Sequence, residues 1–180
     1  MIRFELDGCS VALGDIAATG GSRRDAERTA IAGMLAEVAG LPVTILHRPD
    51  GSPYTDTLPV HISISHSRVW GALLWSSTPG FGIDIEETDR IGQLGRVAPR
   101  FLNPDELKYY SAQPAGLLRA WTLKEATFKA AGLPDVADLR EIKLPCGDHG
   151  EITLRDRRLE IVFSGPTDGG PYMSVVRQAR

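Results

Sequence analysis

Alternating apolar and polar residues predict several short β-strands in the first half of the chain. The alternation is strictest in residues 60–67, where valine and isoleucine would lie on one face and histidine and serine on the other. The first predicted strand, residues 2–6, is followed by a glycine-containing loop that we expect to reach residue 22. Three more strands are predicted at residues 43–48, 69–75 and 81–86. We expect the strands from residue 60 onward to form an antiparallel meander.

Residues 23–39 place apolar side chains at the spacing of an α-helix. Ser22 is a suitable N-cap, because its hydroxyl can accept a hydrogen bond from the first turn. Gly40 follows the last apolar position, and glycine readily adopts the left-handed conformation that ends many helices. The pattern therefore predicts one well-bounded helix in the first half.

A polar stretch with several arginines, residues 87–100, is the best internal boundary of the chain. After it, Asn103 and Pro104 are typical of a helix start, and a longer apolar helix is predicted over residues 116–132. Four further strands are predicted at residues 139–145, 150–156, 158–165 and 171–176. Since both halves, residues 1–87 and 88–180, combine helices with short antiparallel strands, the predicted fold class is α+β.

Composition and charge are ordinary for a globular protein of 180 residues, with 42% hydrophobic residues, 24% charged residues and a net charge of −3. This balance gives no indication of disorder or of a basic nucleic-acid-binding protein. The longest apolar run, residues 69–75, is too short for a membrane span, and the first residues lack the apolar core of a secretory signal. Cys9 and Cys146 cannot build a disulfide framework, so we expect a cytoplasmic protein.

Two carboxylates interrupt the apolar strand at residues 81–86. Asp84 and Glu86 are two positions apart, so both side chains would project from the same face of the strand. Adjacent carboxylates repel each other unless a cation lies between them, and oxygen ligands suit a hard divalent ion such as Mg²⁺. The alternative is an acidic strand edge that is simply solvated.

The helix at residues 116–132 contains a charge cluster within an otherwise apolar segment. Glu125 and Lys129 are four residues apart and share a face, whereas Lys124 lies about 100° around the helix. A solvated Glu–Lys pair, contributing only about 0.3–0.5 kcal/mol, would account for Glu125 and Lys129 but would leave Lys124 without a role. A third carboxylate for the metal, with two ammonium groups for phosphates, would use all three side chains.

Two motifs together resemble the bipartite signature of the 4′-phosphopantetheinyl transferases. The first is Gly82-Ile83-Asp84, which has the form G-[IV]-D. The second, "WTLKEATFK" at residues 121–129, has the form [FW]-x-x-K-E-[SA]-x-x-K. Its first lysine, Lys124, lies 40 positions after Asp84. Three further segments are similar to the pseudo-dimeric class that activates nonribosomal peptide and polyketide synthetases: "DAERT" at 25–29, "ISHS" at 64–67 and "RFLNPDEL" at 100–107.

This resemblance implies a fold and an activity. The fold would consist of two similar α+β halves related by a pseudo-twofold axis, with the active site in the cleft between them. The activity would be transfer of the 4′-phosphopantetheine group of coenzyme A to a serine of an apo acyl or peptidyl carrier protein, with release of 3′,5′-ADP. The cofactor would be Mg²⁺, with Mn²⁺ as an alternative, and the enzyme is expected to be a monomer with no nucleic-acid or membrane partner.

The resemblance also assigns roles to individual residues. The metal would be held by Asp84, Glu86 and Glu125. Either Glu125 or, as a second choice, Glu106 would accept the proton of the carrier serine. The coenzyme would be bound by a set of basic and polar side chains that comprises Arg28, Arg48, Ser65, His66, Lys124 and Lys129.

The chain departs from the family pattern at two positions. Ser63 stands where the "NISHS" motif has asparagine, and Gly51-Ser52-Pro53 stands where a "GKP" loop supplies a lysine near the coenzyme phosphates. Nearby arginines could substitute for that lysine, and the candidates are Arg23, Arg24, Arg28 and Arg48. A catalytically weak relative that only binds coenzyme A or a carrier protein, and an unrelated Mg²⁺ phosphohydrolase, remain the alternatives.

Residues 90–119 alternate basic and apolar side chains, with Arg96 and Arg100 near the centre of the stretch. Carrier proteins of this kind present an acidic helix beside the reactive serine. Because the whole chain is net negative, attraction to such a helix has to be local. We therefore predict that the carrier docks on the second half of the chain.

Overall fold

The computed structural model describes residues 1–16, 22–133, 135–147 and 150–179. Its four α-helices are Arg23–Ala39 (α1), Ile91–Val97 (α2), Pro104–Ser111 (α3) and Gly116–Ala131 (α4). Its strands are Ile2–Leu6 (β1), Cys9–Asp15 (β2), Leu46–His47 (β3), Pro53–Tyr54 (β4), His61–His66 (β5), Trp70–Ser76 (β6), Phe81–Glu86 (β7), Ile142–Lys143 (β8), Ile152–Leu154 (β9), Arg157–Pro166 (β10) and Tyr172–Gln178 (β11). None of the helices in the described ranges has the length and apolar character needed to cross a membrane.

Two antiparallel sheets organise the fold and confirm the α+β class. The first has the strand order β1-β2-β6-β5, and the second has the order β7-β11-β10-β9-β8. Apolar side chains of β2, β6, β7 and β11 form a core between the sheets. Helix α1 covers the other side of the first sheet, and α2, α3 and α4 contribute to the core on the other side of the second.

The helix boundaries predicted from capping residues are confirmed. The Ser22 hydroxyl accepts a hydrogen bond from the Asp25 backbone N–H at the start of α1, and Gly40 ends that helix in the left-handed conformation with a φ of 69°. Asn103 and Glu106 form a reciprocal capping box at the start of α3. These local signals predict helix ends because the groups involved are neighbours in sequence.

Strand β2 was expected to be part of a loop. It is the inner strand between β1 and β6, and both of its faces are covered, so its side chains do not alternate between apolar and polar. The turn that joins it to β1 is Asp7-Gly8, with Gly8 at a φ of 81°. The strand predicted at residues 43–48 is shorter in the structure, since only Leu46 and His47 pair with a neighbouring strand.

The predicted meander is wrong at β7. This strand does not pair with β6, and its backbone hydrogen bonds run to β11 in the second sheet. The free edge of β7 faces β5, where the Ser63 hydroxyl accepts from the Ile83 N–H at 3.2 Å and the Ser65 hydroxyl accepts from the Ile85 N–H at 3.3 Å. Two serine side chains thus satisfy N–H groups that a neighbouring strand would otherwise bind, and they connect the two sheets.

Candidate active site

The two faces of β7 have different surroundings. Ile83 and Ile85 lie in the core between the sheets, whereas Asp84 and Glu86 project from the other face, as the sequence predicts. Helix α4 packs directly on this strand at Gly82, where an added Cβ would lie 2.1 Å from the Ala126 carbonyl oxygen. Only glycine allows this approach, and the approach brings α4 side chains to the carboxylates.

Asp84 is buried, with 6% of its surface exposed. Its Oδ1 atom accepts hydrogen bonds from the Ser65 hydroxyl at 2.7 Å and from Lys129 Nζ at 2.8 Å. Lys129 also donates to the Ile83 carbonyl oxygen at 2.9 Å. Both bonds to Asp84 use one oxygen, so the other carboxylate oxygen remains without a donor among the described residues.

Glu86 is equally buried, and both of its carboxylate oxygens are occupied. Oε1 accepts from the Glu87 backbone N–H at 2.9 Å, and Oε2 forms an ion pair with Arg90. Burial raises the pKa of Glu86, while the Glu87 N–H and the Arg90 charge act in the opposite direction. The negative charge of Glu86 is therefore only partly compensated by its surroundings.

Glu125 completes the acidic group from the α4 side. Its pKa is raised first by burial and then by the negative charge of Asp84, with a smaller contribution from Glu86. Lys129 opposes this rise. The three predicted metal ligands are thus close enough for their charges to interact, and α4 and β7 bring them to one region.

The acidic group has donor atoms that fit a hard divalent cation, since all three ligands are carboxylates. Within residues 1–16, 22–133, 135–147 and 150–179, however, no three His, Cys, Asp or Glu side chains are arranged closely enough to hold an ion as they stand. Lys129 and Arg90 instead neutralise Asp84 and Glu86. The chemistry of the site fits a divalent cation, and the carboxylates would have to move to bind one.

The structure does not bring Lys124 and Glu106 to this region. Lys124 has no exposed surface, and its ammonium group donates to Glu106 at 2.8 Å and to the carbonyl oxygens of Leu139 and Ile142 at 3.2 and 2.8 Å. Glu106 is 1% exposed and also accepts from the backbone N–H groups of Asn103 and Leu144. A predicted contact of either side chain with substrate disagrees with this geometry, because every polar atom of the pair is already bonded inside the protein.

Two clefts share His66, and the smaller of them reaches the acidic group at Glu86. We call the larger one the α1 cleft; it has a volume of about 820 Å³, and residues of α1, of the β3–β4 region and of β5 line it, including Arg28 and His66. The smaller one, the β7 cleft, measures about 390 Å³ and is lined by Arg23, His66, Ser67, Arg68, Glu86, Glu87, Asp89, Arg90 and Gln93. His66 lines both clefts and lies 3.5 Å from Glu27 through Nδ1.

Arg48, Ser65 and Lys129, which are also predicted coenzyme ligands, line neither cleft. Ser65 is buried and bonds to Asp84, so it orients a carboxylate rather than facing a ligand. The Arg48 guanidinium stacks on Tyr54 at 4.8 Å and donates to the Ser52 hydroxyl at 3.3 Å. Arg48 therefore reaches the position of the absent loop lysine, although it faces a separate depression of about 400 Å³. The side chain of Arg24 lies outside the described part of the chain.

Sequence analysis missed two contributors to the site, Arg90 and the bond from Ser65 to Asp84. The spacing of Arg90 and Glu86 is four residues, but the chain changes from strand to 3₁₀ turn between them, so neither helical nor strand periodicity predicts their ion pair. The serine contact joins strands of two different sheets and has no local sequence signal.

A comparison with known protein families agrees with this geometry. The family model described as the 4′-phosphopantetheinyl transferase superfamily matches residues 80–170, which is half of the chain and includes β7 and α4. No curated protein matches the chain. The matched region contains Asp84, Glu86, Glu125 and Lys129, the side chains that the structure brings together. The chain belongs to the 4′-phosphopantetheinyl transferase superfamily.

Proposed function

We propose that this protein transfers the 4′-phosphopantetheine group of coenzyme A to a serine of an apo acyl or peptidyl carrier protein and releases 3′,5′-ADP. The observation that supports this most directly is the convergence of Asp84, Glu86, Glu125 and Lys129, with Glu86 on the wall of the β7 cleft. In this proposal residues 1–87 provide the coenzyme side and residues 88–180 provide the carrier side. Strand β7 belongs to the first part by sequence and to the second sheet by pairing, so it lies where the two substrates would meet.

Asp84, Glu86 and Glu125 would hold the metal, which we propose to be Mg²⁺, with Mn²⁺ as a substitute. When bound, the ion supplies positive charge to the pyrophosphate oxygens of coenzyme A. Ser65 holds Asp84 in place through a 2.7 Å hydrogen bond. Such supporting contacts orient a ligand and reduce the reorganisation needed to bind an ion.

The α1 cleft is the proposed site of the nucleotide part of coenzyme A. Its volume of about 820 Å³ falls in the range of ligand sites, and Arg28 and His66 on its wall can donate to the 3′-phosphate. His66 also lines the β7 cleft, so a ligand that starts in the α1 cleft can extend past this residue toward Glu86. Arg48, which donates to the Ser52 hydroxyl, is a second candidate for a phosphate contact.

The transfer step requires a base and a positively charged group near the reacting phosphate. The carrier serine oxygen forms a bond to the phosphorus that bears pantetheine, the bond from that phosphorus to the 3′,5′-ADP oxygen breaks, and the serine proton goes to Glu125. In the metal-free protein, burial and the neighbouring Asp84 raise the pKa of Glu125. With the ion in place, the Glu125 oxygen that is not bound to it would accept the proton. Lys129, 27% exposed, can stabilise a phosphate oxygen while it remains bonded to Asp84.

The carrier would dock beside α2. Arg96 and Arg100 are exposed there, and Ile91 is an exposed apolar residue at the start of the same helix. Charge reversal of Arg96 and Arg100 together should raise the KM for the carrier severalfold, with an effect that weakens at high salt, and should leave the KM for coenzyme A nearly unchanged. Carrier kinetics that stay the same at low salt would place the docking surface elsewhere.

Mass spectrometry of purified apo carrier proteins, incubated with the enzyme, coenzyme A and Mg²⁺, tests the proposed function. We expect the mass of a carrier to increase by one phosphopantetheine group, and we expect chelation of the metal or Asp84→Asn to reduce the rate at least about 100-fold. Binding of coenzyme A or carrier without any mass increase would instead support the weak relative. Cleavage of coenzyme A in the absence of carrier would support the phosphohydrolase.

A further inference from the structure

Three guanidinium groups line the β7 cleft, and their partners differ. Arg23 pairs with Glu27 at 2.8 Å, and Arg68 pairs with Asp89 at 2.8 Å. Arg90 pairs with Glu86, which is one of the three proposed metal ligands. Arg90 is therefore the cleft arginine whose partner also has to serve the metal.

The two neutralised carboxylates differ in what a metal ion would have to displace. Asp84 receives both of its hydrogen bonds on Oδ1, so a cation can approach its other oxygen while Lys129 stays in place. Glu86 has its Oε1 engaged by the Glu87 N–H and its Oε2 engaged by Arg90. Because the backbone N–H is held by the fold, Arg90 is the group that must move when Glu86 binds an ion.

Arg90 has the freedom to make that movement. Its side chain is 42% exposed, and besides Glu86 its guanidinium contacts only Gln93, at 3.1 Å, among the described residues. Of the other carboxylates that line the cleft, Asp89 pairs with Arg68, and Glu87 accepts from the Ser67 hydroxyl and the Val69 N–H on Oε1 alone, so its Oε2 has no donor among the described residues. A displaced Arg90 would thus remain a cation of the β7 cleft, where a bound anion competes with Glu87 for its guanidinium.

We propose that Arg90 competes with the divalent cation for Glu86 and, once displaced, binds an anionic oxygen of coenzyme A in the β7 cleft. This inference rests on the proposed function, because the metal and the coenzyme are taken from it. Arg90 then makes metal and coenzyme binding interdependent: it opposes the ion when the cleft is empty and adds a phosphate contact when both ligands are present. Its guanidinium can bind two oxygens of a phosphate at once.

The first measurement is Mn²⁺ affinity without coenzyme, followed through the electron paramagnetic resonance signal of the free ion. Arg90→Gln removes the competing charge and should bind Mn²⁺ about two- to fivefold more tightly than the wild type. Arg90→Lys keeps the charge and should remain close to the wild type. Arg68→Gln is the matched control, because Arg68 lines the same cleft but pairs with Asp89.

The second measurement is coenzyme A affinity by calorimetry, with and without saturating Mn²⁺. With Mn²⁺ present, Arg90→Gln should bind coenzyme A roughly tenfold more weakly than the wild type, because a charged hydrogen bond is lost. Without the ion the loss should be much smaller, since Arg90 is then engaged with Glu86. A purely structural role of Arg90 would not make the loss depend on the metal.

The outcomes separate this inference from the proposed function. If Arg90→Gln binds Mn²⁺ no more tightly than the wild type, Arg90 does not compete with the ion for Glu86. If its loss of coenzyme A affinity is the same with and without Mn²⁺, the ion does not release Arg90 to bind the coenzyme. A wild-type protein that binds no Mn²⁺ overturns the metal site and the proposed function together. A wild type that binds both ligands but transfers nothing overturns the transferase proposal while the role of Arg90 stands on its own measurements.

Discussion

The two lysines of α4 lie five residues apart and occupy opposite environments. Lys124 has no exposed surface and is bonded to Glu106 and two carbonyl oxygens. Lys129 is 27% exposed and bonds to Asp84 and to one carbonyl oxygen of β7. Five residues correspond to about 140° of helix rotation, so the two side chains leave α4 in different directions. Lys124 faces the interior of the second half, and Lys129 faces the carboxylate of Asp84 on β7.

This difference shows that charged residues of one motif can serve two purposes. Burial lowers the pKa of Lys124, and its bond to Glu106 opposes that effect. Hydrogen bonds inside the protein replace the water that the two charged groups would bind if they were exposed. Through the carbonyl oxygens of Leu139 and Ile142, the pair connects α3 and α4 to the segment that leads into β8, the outer strand of the second sheet. Lys129 retains access to solvent above the buried Asp84 and can interact with a ligand.

The largest expected effect is on stability. Lys124→Met leaves Glu106 buried without its partner and should lower the free energy of unfolding by about 3–5 kcal/mol. Lys129→Met leaves the buried Asp84 with the Ser65 hydrogen bond, and since the lysine site is partly hydrated it should cost less, about 1–3 kcal/mol, while lowering the transfer rate strongly. Urea unfolding of both variants measures the difference, and Lys124→Met combined with Glu106→Gln should recover part of the loss. Equal stability losses for the two single variants would remove the distinction between the lysines.

A smaller effect separates the two serines of β5. Ser63 and Ser65 each accept from a β7 backbone N–H, so Ser63→Ala and Ser65→Ala should destabilise the fold by similar amounts, about 1–3 kcal/mol. Only Ser65 also bonds to Asp84. Ser65→Ala should therefore weaken Mn²⁺ binding about tenfold, and Ser63→Ala should leave it near the wild-type value. Identical Mn²⁺ titrations of the two variants would contradict the role assigned to Ser65.

The smallest effect concerns the pH dependence contributed by Glu125. Its pKa is raised above the ordinary value of 4.5, so its charged form lowers the stability of the folded state at neutral pH. This cost disappears as the pH falls below 4.5, because the group is then protonated in both the folded and the unfolded state. Glu125→Gln should consequently raise the melting temperature of the metal-free protein at pH 7, with a gain that shrinks toward pH 4. Thermal melts across this range, with Asp105→Asn as an exposed control, test the sign. A gain that is independent of pH would show that charge is not its cause.

Sequence reasoning was most successful where the relevant contacts are local. The ends of α1 and α3 followed from Ser22, Gly40 and Asn103, whose capping partners lie within four residues. The shared face of Asp84 and Glu86 followed from the two-residue period of a strand. Strand β2 had a local signal too, the Asp7-Gly8 turn typical of hairpins, but its mostly buried residues neither alternate strictly nor form a continuous apolar run.

The sequence by itself determined the α+β class, the boundaries of α1 and α4, the start of α3 and the two motifs of the family, because each depends on neighbouring residues or fixed spacing; helix α2, which lies in the stretch taken as an internal boundary, was not predicted. Only the tertiary structure decided that β7 pairs with β11, that Ser65 orients Asp84, that Lys124 turns inward to Glu106 and that Arg90 occupies Glu86. Each of these depends on which elements pack against one another. A side chain's direction from a helix or strand follows from local geometry, but its partner is whatever the rest of the fold brings to that face.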